Sequence, residues 1–147
     1  MMRALPALLV LALALPAALH ADGPAEPENE HQPRHGGHFG DADDLYHYEL
    51  VPGPEGRLTL YVNDDENKPL DTRGLQGRWT LNPDSPDPVE GPFAPSEDGA
   101  FLAASVPWPP PVPEGQDPGV VHVKVEVLKG NDWAPMEFYL PAHGKTE

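Results

Sequence analysis

From Leu45 onward, apolar side chains recur at every second position, the spacing of a half-buried β-strand. Tyr46, Tyr48 and Leu50 share one face of this run, and His47, Glu49 and Val51 share the other. The turn residues Pro52, Gly53, Pro54 and Gly56 close it. Residues 57–62 alternate again, with Leu58, Leu60 and Val62 on the inward face. A polar connection over residues 63–68 and a bend at 71–74 lead to short strands around 78–81, 89–93 and 101–106. The clearest strand covers residues 120–128. Val121, Val123, Val125 and Val127 line its core face, which puts His122, Lys124 and Glu126 on the outer one. A last strand over 136–140 follows the turn at Gly130, Asn131 and Asp132. About seven short strands with turn signals every 8–12 residues predict an all-β chain, a single small β-sandwich of immunoglobulin-like type. No useful helical period and no internal repeat interrupts this pattern. The proline-rich segment 106–113 predicts an extended polyproline loop, with Trp108 folded back on the core to anchor it.

The N-terminal third has a different character. Residues 1–21 read as a secretory signal: Arg3 starts it, an apolar run from Leu5 to Leu19 follows, and small residues stand at Ala17, Ala18 and Ala21. This run is shorter and more weakly flanked than the ~20 apolar residues of a spanning helix. The expected product is periplasmic or secreted and has no membrane anchor. Residues 22–34 are acidic, rich in proline and without periodicity, which predicts a disordered leader. The folded domain is then expected over residues 35–147. The chain has no cysteine, so disulfides, thiolate metal sites and a cysteine nucleophile are excluded and burial must hold the fold together.

Charge narrows the range of partners. The 24 Asp and Glu against 9 Lys and Arg give a formal charge of −15. Nucleic acid and anionic lipid are poor partners for such a chain, whereas a cation or a basic protein surface is a good one.

The residues with the most chemical promise sit where the leader meets the first strand. Four of the seven histidines, His31, His35, His38 and His47, fall in this stretch. Imidazole is the commonest protein metal ligand, and Gly36-Gly37 leaves the backbone free to turn both flanking rings toward one point. His47 and Glu49 project side by side from one face of the strand. His35, His38, His47 and Glu49 are therefore the candidate ligands for a divalent transition metal, Zn²⁺, Cu²⁺, Ni²⁺ or Co²⁺. The acidic runs at Asp41–Asp44 and Asp64–Asn67 lack the glycine and glutamate spacing of an EF-hand and read as turn chemistry. No Gly-x-Ser-x-Gly elbow, phosphate-binding glycine loop or His-Glu-x-x-His motif is present, so the chain is not expected to be an enzyme. Two functions remain: a metal-binding accessory protein that buffers or delivers an ion, and a non-catalytic interaction domain with an acidic surface and no metal.

The series His35-Gly36-Gly37, Tyr46-His47-Tyr48-Glu49-Leu50-Val51, Leu58-Thr59-Leu60-Tyr61-Val62-Asn63-Asp64 and Lys68-Pro69-Leu70-Asp71 resembles a known domain. It is similar to the small β-domain near the N-terminus of some periplasmic adaptor subunits of heavy-metal efflux systems. The likeness covers residues 35–74. It implies a β-sandwich outside the cytoplasm, a link to metal handling, an efflux component as possible partner, and His35, His47 and Glu49 as the positions of interest. An adaptor's helical hairpin, lipoyl-like domain and barrel have no counterpart in this sequence.

Overall fold

Residues 32–142 are described by a computed structural model. The signal at 1–21, the leader up to residue 31 and the end of the expected domain at 143–147 lie outside the described residues. Eight strands follow one another: β1 (His38–Ala42), β2 (Tyr46–Pro52), β3 (Arg57–Asn63), β4 (Gly77–Leu81), β5 (Val89–Pro95), β6 (Leu102–Ser105), β7 (Val120–Lys129) and β8 (Asp132–Pro141). All pairings are antiparallel, in the spatial order β1-β2-β3-β6-β5-β4-β7-β8.

The expected all-β domain is what the chain forms, with one strand more than expected. The two layers are halves of one sheet, where an immunoglobulin-like sandwich has two separate sheets. They join through β5, whose residues Val89 to Phe93 pair with β4 while Ala94 and Pro95 pair with β6. The sheet then curls until β1 and β2 lie against β8, so that it is nearly closed. Closure of this kind shortens the unpaired edge that an open sheet would leave.

The inward faces match the alternation in the sequence. Tyr48, Leu50, Leu60 and Val62 from one half meet Leu81, Val123, Val125 and Val127 from the other, all at most 2 % exposed. Tyr48 ties the two halves together with hydrogen bonds. Its hydroxyl donates to the Ala134 carbonyl at 2.8 Å and accepts from the Val127 N–H at 3.2 Å. Burial pushes the Tyr48 phenol well above its usual range, so it stays a neutral donor. Trp108 departs from expectation: its side chain does not fold back on the core but stands 43 % exposed.

Strand β1 was not legible as a strand, because His38-Phe39-Gly40-Asp41-Ala42 carries little apolar content. Pairing creates it. Asp43 and Asp44 both have positive φ, 50° and 56°, and the Leu45 N–H closes on the Ala42 carbonyl at 2.9 Å. The loop between the strands is three residues long, Asp43 to Leu45, and its two left-handed positions fall on aspartates, which tolerate that conformation better than most residues.

The packing makes a direct prediction. Val123 is 1 % exposed at the centre of β7, and Val123→Asp would bury an unpaired charge at a cost of several kcal/mol. The variant is expected to lose its cooperative thermal transition by circular dichroism; a melt near the parent temperature would mean that this face is not the core.

Candidate functional site

The outer face of β2 is not solvent-exposed. His47 is 8 % and Glu49 5 % exposed, although they point away from the apolar core. Their cover comes from β1 and from the segment just before it.

Glu49 is enclosed by the chain that precedes β1. Its carboxylate accepts from the backbone N–H groups of Arg34 (3.0 Å), His35 (2.7 Å) and Gly37 (2.9 Å), and pairs with His35 Nδ1 at 2.7 Å. Successive N–H groups turned toward one anion form a nest, a concave site for negative charge. The two glycines make the nest possible. Gly36 has φ +75°, a conformation that costs other residues strain, and a Cβ on Gly37 would sit 2.6 Å from the Leu50 carbonyl oxygen. Burial raises the Glu49 carboxyl, but the Gly37 N–H, the His35 side chain and the His35 and Arg34 N–H groups outweigh it, and the group is held below the ordinary carboxylate range. The His35 ring is itself fixed, stacked on Tyr61 with centroids 3.6 Å apart and planes 3° apart. Arg34, the last residue of the expected leader, is thus bound to the fold.

The four sequence-predicted ligands do not meet at one point. His35 and Glu49 are together. His47 pairs with Asp41 instead, Nε2 to Oδ1 at 3.0 Å, across the β1–β2 ladder where the two residues are opposite one another. His38 is opposite Leu50. Directly paired residues share a face of the sheet, so His38 lies on the core side, away from His47 and Glu49. There it lines a cleft with Pro52, Trp108 and Pro141. Among the described residues, no group of three or more His, Asp or Glu side chains is placed to hold a metal ion.

The acidic runs are built as turns. Asp43 and Asp44 form the β1–β2 hairpin, and Asp64 Oδ1 accepts from the Glu66 and Lys68 N–H groups at 3.0 and 2.8 Å. Sequence reasoning missed a third histidine–carboxylate group, His122 of β7 with Asp84 and Glu137. The alternation of β7 put His122 on the outer face, but only the register against β8 and the loop after β4 reveal its neighbours.

Comparison with protein-family models, with curated proteins and with solved structures finds no match for this chain.

Replacing Glu49 tests the nest. Glu49→Gln keeps the shape but turns an NH₂ group toward the N–H donors and removes the charge, at an expected cost of about 1–3 kcal/mol in denaturant unfolding at neutral pH. Because the folded protein holds this carboxyl below its ordinary range, its stabilisation is present at neutral pH and is lost as pH falls through the lowered value. The gap between parent and variant should narrow on acidification. Equal stability of the two at pH 7 would show that the nest contributes nothing.

Proposed function

We propose that this chain is an exported, non-catalytic docking module whose acidic surface engages a basic protein partner. The observation that carries this reading is how the described charges are distributed. Lys68, Arg73, Arg78 and Lys124 are each bound to a neighbouring carboxylate: Glu66, Asp71 and, for the last two, Glu126. The carboxylates of Asp65, Asp84, Asp87, Glu90, Glu97, Glu114 and Asp132 lie on exposed residues, in a chain of formal charge −15. A field mostly of one sign, with four of the described cations neutralised by neighbouring carboxylates, steers and holds a partner of the opposite sign. Burial of Glu49 and Glu126 removes those two carboxylates from this surface.

A second reading, capture of a divalent transition ion and a role alongside metal efflux, draws support from one contact. The Glu49 carboxylate holds His35 Nδ1, the way a carboxylate orients an imidazole whose other nitrogen binds metal. In this form Glu49 is the orienting group and not itself a ligand.

Calorimetric titration separates the two. The docking reading expects saturable binding of an oligolysine peptide at low ionic strength that is largely lost at about 0.5 M salt, where charges are screened within a few ångströms. It also expects no saturable binding of Zn²⁺, Ni²⁺, Co²⁺ or Cu²⁺ tighter than roughly 10⁻⁴ M, the weak end of biological ion sites. Tighter metal binding that His35→Ala abolishes would put the metal reading in its place. No binding of oligolysine at any salt concentration would overturn the docking reading.

A further inference from the structure

The proline-rich strap between β6 and β7 is a sequence motif that the preceding sections leave without a role. It is fixed to the body of the protein at several points. Val106 is buried, and its N–H donates to the Gly56 carbonyl at 2.9 Å. The side-chain amide of the buried Asn82 donates to the Pro111 carbonyl at 2.7 Å. The Gln116 N–H donates to the Pro113 carbonyl at 3.1 Å. The rings of Pro109, Pro110, Pro111 and Pro113 fix φ, and a residue that precedes proline is held extended. Both restraints favour a polyproline helix over residues 109–113, with three residues per turn. Burial follows that period: Pro110 is buried and Pro113 half-buried, while Pro109, Pro111 and Val112 are exposed.

What the strap displays is apolar. Among the described residues, the large hydrophobic side chains left exposed are Trp108, Val112 and Tyr139. Two of the three lie here, Trp108 at 43 % and Val112 at 50 %. Pro107, Pro109 and Pro111 are exposed beside them. A tryptophan that served only to anchor the loop would bury its ring. Isolated apolar residues on a surface are ordinary, but a contiguous run of them on a fixed segment marks a contact surface. The surroundings are acidic. Glu114 and Asp117 follow the strap and are exposed, Glu55 lines the same cleft as Trp108, and no Lys or Arg occurs between Arg78 and Lys124.

We propose that the strap 107–113 is the ridge on which the basic partner docks, through a groove lined by aromatic side chains and rimmed by Lys or Arg, an inference that rests on the docking reading above. A polyproline segment is stiff before it binds, so little conformational freedom is lost on contact. Its rings offer flat apolar faces to aromatic side chains, which is how aromatic grooves read proline-rich segments. The acidic flanks select a groove with cations at its rim.

The test uses the full chain and two fluorescein-labelled peptides of equal length and charge, read by fluorescence anisotropy at low ionic strength. One alternates lysine with tryptophan and the other lysine with serine. The parent is expected to bind the lysine–tryptophan peptide about tenfold more tightly. Trp108→Ala with Val112→Ser should reduce this preference to about twofold or less, and Val112→Lys, which sets a cation on the ridge, should do the same. Tyr139→Ala removes an exposed aromatic outside the strap and should leave the preference unchanged. All these positions are exposed, and unchanged melting curves confirm that each variant is folded. A parent without the preference, a preference that survives both strap variants, or one that Tyr139→Ala removes would overturn the strap while leaving the docking reading intact. No binding of either peptide by the parent would overturn both.

Discussion

A buried carboxylate needs donors, and much of the N-terminal architecture follows from that need at Glu49. Strand β2 is covered on both sides: Tyr46, Tyr48 and Leu50 enter the core while His47 and Glu49 are enclosed on the other face. An ionised group removed from water is tolerated only where hydrogen bonds replace its hydration. The three N–H groups and one imidazole around Glu49 do so, and they dictate the path of residues 34–37. That path explains the His-Gly-Gly sequence as backbone engineering. Gly36 supplies the left-handed bend and Gly37 the close approach to Leu50, and the imidazole of His35 closes the nest against Tyr61.

The same constraint explains which parts of the site could be read from sequence. Alternation identified β2, β3 and β7 and assigned their core faces correctly, because Leu58, Leu60, Val62 and the four valines of β7 carry a strong period of two. Proximity in sequence also brought His35 to Glu49. Proximity failed for His38, because the face a residue takes depends on strand register, and β1 becomes a strand only through pairing with β2. It failed for His47 in the same way, since its partner Asp41 belongs to that unforeseen strand. Outward position did not mean exposure: His47, Glu49, His122 and Glu126 all point away from the core yet are buried by neighbours distant in sequence. Side-chain period reports direction, whereas cover depends on tertiary contacts that a single strand does not encode.

Acidic groups in this protein thus divide by role. Some are consumed in the fold: Glu49 in the nest, Glu126 with Arg78 at 2.6 Å, Asp64 in its turn, and Asp71 with Arg73, which holds the Asp71 carboxyl at about 2. The remainder face outward in excess of the available cations, and the acidic function proposed for the chain belongs to them. A histidine beside a carboxylate is on this account first a structural pair, in two separate places, at His35 and His47.

Hydrogen exchange of the Arg34, His35 and Gly37 amides at neutral pH tests most directly whether Glu49 is spent in building the fold. The account predicts that these amides exchange far more slowly than an unstructured chain and lose that protection in Glu49→Gln, while the β7 amides stay protected. Exchange of the three at unstructured rates in the parent protein would contradict it, because Glu49 would then be free to serve as a ligand.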